Sequence, residues 1–383
     1  MTETPSAPFD DARRPCKRNG DPAPGDDLIR FGERLEKETA VAQDARTIDR
    51  FRWRTAAELD AGEFEQQYLI PGILAEGQPG GIYGAFKALK TSIAIDQALS
   101  LATGCPFLGY FRVDHSAPVA FMSGESGLSA LQSIARRVCR AKGCSLDRVE
   151  GFFLTDDLPR LERAEDIRTL ERFIREREIK ALYIDPAYLC MDIANDAHNI
   201  FATGQYLKPI GELCKGTGCA ILLVHHNKRG VQDPSAPAQL SDISWSGFAE
   251  FSAQWVLLSR RSAFDPETGQ HEIWLNVGGR AGHCGLYGVD IREGRNEDIE
   301  CRAWEVEVHQ ASETRAGIVK ADVQRREESK QQKRDSQAEL DRTNIITAFG
   351  LHMNGETKSV IQGRIGRRNQ AICPDPRPTA PVR

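Results

Sequence analysis

The stretch 84–92, GAFKALKTS, holds the densest chemistry in the chain. A phosphate loop asks for Gly, four residues, Gly, Lys and then Ser or Thr. Gly84, Lys90 and Thr91 stand in place, and Leu89 occupies the position of the second Gly. The pattern works because backbone N–H groups at a helix start cradle phosphates, the Lys supplies charge, and the hydroxyl ligates Mg²⁺. Losing the second Gly restricts the backbone but removes no ligand. Lys87 adds a second cation inside the loop. Gly84, Lys87, Lys90, Thr91, Ser92 and Asp185 are the expected nucleotide-binding residues, with ATP and Mg²⁺ as the implied ligands. On this stretch alone, a Lys-containing turn before a core helix remains an equally physical reading.

Three further groups sit where apolar runs end. KALYIDP (180–186) closes on Asp185, and a carboxylate at the carboxyl end of a parallel strand lies where open α/β sheets bind ligands. There it would hold Mg²⁺ together with Thr91; the plain alternative is an Asp that caps the next turn. PVAFMSGES (118–126) places Glu125 just past another strand, where it could deprotonate a water attacking the γ-phosphate or cap the helix starting near 127. CAILLVHHN (219–227) ends on His225 and His226, two imidazoles expected to face the same site as sensors of phosphate or nucleic acid.

Positioning such groups takes alternating strands and helices. Apolar runs at 80–85, 118–124, 149–155, 180–185, 219–226, 253–259 and 271–277 predict strands, most of them buried on both faces. Amphipathic stretches at 91–102, 127–142, 163–178 and 203–217 predict helices between them. That alternation calls for parallel crossovers, hence an α/β domain with a mainly parallel sheet. The last strands follow one another without long helices, which predicts an antiparallel edge. Four segments result: a flexible, charged and Pro-rich 1–60 with a short helix near 28–45; an α/β domain over 61–312; a charged helical linker over 313–340; and a small helical segment with a basic tail over 341–383.

With 50 Lys and Arg against 55 Asp and Glu, the net charge of −5 argues against a blanket of positive charge for gripping DNA. The ten cysteines are scattered without a CxxC pair, which predicts reduced thiols rather than a metal site. No apolar run is long enough for a membrane span and the polar start lacks a signal-peptide core, so a soluble cytoplasmic protein is expected.

From YLIPGIL (68–74) through GAFKALKTS, FMSGES, YIDP and LLVHHN to LNVGGRAG (275–282), the chain resembles the RecA-like P-loop ATPases of the RepA/DnaB replicative-helicase-type group, found in plasmids, phages and integrated elements. The resemblance implies a RecA-like core, hexameric rings with ATP sites between subunits, and action on single-stranded DNA in replication alongside other replication proteins. It implies Lys90 and Thr91 as the phosphate and Mg²⁺ pair, Glu125 as catalytic base, Asp185 as the second Mg²⁺ residue, His226 as γ-phosphate sensor and Arg280 as a finger from the neighbouring subunit. The sequence departs from the group at Leu89, at Trp245 and Gln254 where arginines are usual, and at Gly278 and Gly279 in place of a Lys-Asn pair. NGETKSVIQGRIG (354–366) is similar to the start of a winged helix, with Arg364, Arg367 and Arg368 available for phosphates. Two other functions fit the loop: a nucleotide-binding regulatory or assembly module with little turnover, and a kinase, for which no lid or acceptor site is visible.

Overall fold

The computed structural model describes residues 51, 53–192, 199–228, 233, 235–245, 247–263, 267–294, 302–350, 357, 359 and 360. Contacts divide the chain into two units, Met1–Glu65 and Gln66–Arg383. The first contains helix α1 (Ala56–Ala61), opened by a reciprocal cap in which Thr55 N–H donates to the Glu58 carboxylate at 2.7 Å and Glu58 N–H donates back to the Thr55 hydroxyl at 3.2 Å. The helix expected near 28–45 lies outside the described residues.

The second unit opens with a small antiparallel pair, β1 (Tyr68–Ile70) and β2 (Leu74–Ala75). Among the described residues its main sheet has nine strands: β3 (Pro79–Gly84), β4 (Val119–Ser123), β5 (Phe152–Thr155), β6 (Ala181–Asp185), β7 (Ala220–His226), β8 (Gln254–Arg260), β9 (Gln270–Gly279), β10 (Cys284–Arg292) and β11 (Glu305–Gln310). Their spatial order is β11-β10-β9-β8-β3-β7-β6-β4-β5. The six from β8 to β5 are parallel, and β9, β10 and β11 add an antiparallel edge, as the missing helices in that part of the sequence predicted.

Helices α2 (Lys90–Thr103), α3 (Leu128–Ala141), α4 (Ala164–Glu176) and α5 (Ile200–Thr217) connect the parallel strands, and the single-turn α6 (Phe248–Phe251) precedes β8. Neighbouring residues of one strand serve opposite faces. Ile82, Tyr183, Leu222 and Val224 pack with Ile93, Leu99 and Leu131, whereas Tyr83, Leu182 and Leu223 pack with Ile174, Leu207 and Phe248. The sheet is therefore buried on both sides, which is why its strands read as unbroken apolar runs. Each aliphatic side chain so removed from water contributes about 1.5–3 kcal/mol.

Two polar residues fix α2 against the rest. Asp96, 1% exposed, accepts from Leu108 N–H at 2.9 Å, the Lys142 ammonium at 3.0 Å and the Trp304 indole at 2.6 Å. One turn of loop, the end of α3 and the approach to β11 thus converge on a single buried carboxylate, whose charge is paired as burial demands. Gln97, fully buried, accepts from the Tyr183 hydroxyl at 3.0 Å and ties α2 to β6. These bonds set the helix that begins with Lys90 beside the strand that ends with Asp185.

After β11 a 40-residue helix, α7 (Ala311–Gly350), runs through the boundary expected at 340/341. Its middle, QRREESKQQKRDSQAE, is exposed throughout except for the partly covered Gln337. Asn354, Gly355, Glu356, Arg364, Arg367 and Arg368 lie outside the described residues. No helix among the described residues is long and apolar enough to cross a membrane.

Candidate nucleotide site

The six parallel strands bring their carboxyl ends to one edge, and the expected residues gather there. Gly84 closes β3 in register with His226, the last residue of β7, and Asp185 closes β6. The loop 85–89 then turns directly into α2, so the helix N-terminus and its free N–H groups face that edge.

Leu89, which replaces a glycine, keeps glycine's conformation: its φ is 59° and its ψ 23°, in the left-handed region. Lys87 has φ 58°. Two side-chain-bearing residues in that region cost about 1–2 kcal/mol each, a strain that must be held by the surroundings. The Leu89 side chain packs against the core beneath the loop. The departure from the motif thus preserves the loop's shape at the expense of strain.

Lys90 is 8% exposed, and its ammonium donates to Gly84 O at 3.2 Å and Ala85 O at 2.9 Å. His226 Nδ1 lies 3.1 Å from the same nitrogen and accepts when the ammonium donates. Burial pulls Lys90 down to about 8, while Asp185 and Glu125 oppose the shift. The Thr91 hydroxyl donates to Asp185 Oδ2 at 2.6 Å. Burial pushes the Asp185 carboxyl up to about 6, the Thr91 hydrogen bond opposing and Glu125 adding.

The group fits Mg²⁺ and phosphate by its chemistry. A hydroxyl and a carboxylate already touch, and Ser123, in register with Asp185 on the next strand and fully buried, has a hydroxyl with no protein partner among the described residues. Both charged groups are held away from their ordinary values by burial, and bound charges of opposite sign would restore them. Among the described residues no cluster of three or more His, Cys, Asp or Glu side chains could hold a metal alone.

Glu125 is exposed and lines a cavity of 1310 Å³ together with Phe86, Tyr188 and His226. It does not cap α3, whose N-cap is Gly127 with no side-chain bond. Ser92 is buried in the first turn of α2, and Lys87 is exposed with its ammonium 5.5 Å from the Phe86 ring centre.

The two histidines separate. His226 reaches Lys90, but His225 is 2% exposed, stacks on Phe248 at 4.3 Å, and lies 3.0 Å from the Ser244 hydroxyl. Consecutive strand residues point to opposite faces, so only one of the pair could reach the loop. Burial, with His226 and Lys90 adding, pulls His225 down to about 3.

Arg280 lies elsewhere. Gly279, the last residue of β9, pairs with Gln254, which in turn pairs with Gly80 near the start of β3. Arg280 is therefore at the amino end of the parallel strands, roughly 15–20 Å of strand from its own loop. It is exposed; its N–H donates to Ala253 O at 2.7 Å and its guanidinium to the Glu250 carbonyl. A Cβ on Gly278 would come within 2.6 Å of the Trp255 ring, so a side chain there requires that ring to shift. Gln254, 1% exposed, donates to Ala75 O and Gln78 O at 3.0 and 2.9 Å and accepts from Ala75 N–H at 2.7 Å. It joins β2 to β8.

The sequence reading passed over Ser123 and Arg260. Arg260 ends β8 at the loop's edge, and its guanidinium donates to the Lys87 carbonyl. The rule that singled out Asp185, a polar group closing an apolar strand, applies equally to AQWVLLSRR.

No curated protein matches the chain. Residues 45–231, which carry the loop, Glu125, Asp185 and His226, match the family model described as the AAA domain.

Proposed function

We propose that the chain is an ATP-hydrolysing motor of the RecA-like, RepA/DnaB type, acting on single-stranded DNA in replication or maintenance of a mobile element, as a helicase or as a loader of other replication proteins. The supporting observation is the bonded cluster Thr91–Asp185 and Lys90–His226 at the start of α2. Thr91 and Asp185 would hold Mg²⁺, whose positive charge would offset the negative charge of the phosphates. Lys90 exchanges its bonds to the Gly84 and Ala85 carbonyls for phosphate oxygens. Glu125, across the cavity, takes a proton from the water whose oxygen attacks the γ-phosphorus, while the bridging bond breaks and ADP keeps its electron pair. His226 shares Lys90 and so changes partners as the phosphate comes and goes, which suits a sensor. Arg280 cannot reach its own loop and serves a neighbouring subunit in a ring, a hexamer by the resemblance.

A nucleotide-binding assembly module with little turnover is the second reading, favoured by the Trp255 ring lying against Gly278, where the group has a basic residue. Turnover with and without a single-stranded oligonucleotide separates the two. The motor reading expects severalfold stimulation by DNA, and Lys90→Ala weakening ATP binding by about tenfold or more as a charge-assisted contact is lost. Equal rates with and without DNA favour the module, and unchanged ATP affinity in folded Lys90→Ala removes the loop assignment.

A further inference from the structure

We infer that Arg260 is a positioning residue of the phosphate loop, clamped in place by His271 and Glu293. The inference rests on the nucleotide-site reading and adds to it a residue outside the stretch that the AAA domain matches.

The loop needs an anchor. Lys87 and Leu89 both hold left-handed backbone without being glycine, so the loop conformation is strained where a two-glycine loop would relax. Below it, Leu89 is fixed by core packing; above it, Lys87 is exposed. The contact that ties down this exposed part is Arg260, whose Nη2 donates to the carbonyl of Lys87 itself. A charged donor on a carbonyl is among the stronger hydrogen bonds, and the planar guanidinium fixes its direction.

Arg260 is in turn oriented from behind. Its Nη1 lies 3.4 Å from His271 Nδ1. Arginine keeps its charge, so that ring nitrogen accepts, and the His271 proton sits on Nε2. Nε2 points to Glu293 Oε2 at 3.4 Å, and both residues are about 5% exposed or less. Glu293 also meets Arg302 at 2.7 Å and Arg137 of α3 at 2.9 Å. A file of buried polar groups therefore runs from α3, the helix entered just after Glu125, through Glu293 and His271 to Arg260 and the loop. Arg260 touches the loop backbone, so it acts on phosphate binding through the loop's shape.

A guanidinium at the rim of a nucleotide site could alternatively stack on the base or simply add positive charge, and the test separates these. Affinities for ATP and for inorganic tripolyphosphate are measured by calorimetry on the full chain, for wild type, Arg260→Ala, Arg260→Lys and Lys90→Ala, with thermal melting as a check on folding. The expected result is that Arg260→Ala weakens both ligands by the same factor, about tenfold. Arg260→Lys, which keeps the charge but cannot span the Lys87 carbonyl and His271 together, is expected to recover less than half of that loss on a logarithmic scale. Loss of ATP affinity with tripolyphosphate unaffected means base stacking and overturns the inference. So does full recovery by Arg260→Lys, which means charge alone, or wild-type affinity in Arg260→Ala. Should wild type bind neither ligand, or Lys90→Ala bind both normally, the nucleotide-site reading falls, and the role of Arg260 falls with it.

Discussion

At the carboxyl end of the parallel strands, Lys90 bonds His226 and Thr91 bonds Asp185, and burial pulls Lys90 down to about 8 and pushes Asp185 up to about 6. At the amino end of the same strands, Arg280 is exposed and donates to the backbone carbonyls of Ala253 and Glu250, beside Gln254 and Gly278, which serve packing. One end is a pre-assembled receptor for charge. The other presents a single cation outward. A sheet of this kind cannot bring its own two ends together, so any chemistry that uses both takes a second copy of the chain, head to tail.

The largest effect should come from the exposed end. If Arg280 completes the neighbour's site, as proposed, Arg280→Ala lowers ATP turnover by about 10³-fold with ATP affinity nearly intact, the signature of a group that acts on charge developing in the transition state. If the amino end only touches DNA, the same variant keeps its DNA-independent rate and loses DNA affinity, and the two ends are functionally separate.

Glu125→Gln comes next, at about 10²-fold in turnover, because the amide keeps size and hydrogen bonding but accepts no proton. ATP binding should persist. A rate within twofold of wild type would leave the receptor end as a binding site alone.

Much of this contrast was legible in the sequence. Strand ends located Asp185, Glu125 and His226 because a run of buried apolar residues that stops on a polar one stops at the sheet's edge. The same logic would have found Arg260 in AQWVLLSRR but was applied only to acids and histidines. Other features depend on contacts between distant residues. Nothing local says that Leu89 adopts a glycine's backbone, that the Trp255 ring lies against Gly278, or that His225 turns away to Phe248 while its neighbour faces the loop. The strand β10 mixes half-buried, buried and exposed residues and β11 only half-buried and exposed ones, a weaker signal than the unbroken runs of the parallel strands, and α7 hides its continuity because it has almost no apolar face to read.

The smallest effect concerns the pair of histidines. Folding lowers His225 from its ordinary value to about 3, so between about pH 6.5 and 3 the unfolded chain binds a proton that the folded chain does not. Stability contributed by the neutral ring is complete above that window and is lost as the pH falls through it, by up to about 1.4 kcal/mol per unit. In His225→Phe, which keeps the stack on Phe248, denaturant midpoints should decline less steeply from pH 6.5 to 4.5 than in wild type. Parallel declines would show that His225 is protonated in the folded chain as well.

The pairing of the two ends across subunits is tested most directly by mixing. Lys90→Ala and Arg280→Ala are each expected to hydrolyse ATP poorly. In an equal mixture allowed to reassemble, about a quarter of head-to-tail interfaces join an intact Lys90 end to an intact Arg280 end. The account predicts that the mixture regains a clear fraction of wild-type turnover, above the sum of the two variants measured apart. A mixture no more active than that sum, with Arg280→Ala alone hydrolysing at the normal basal rate, would contradict it.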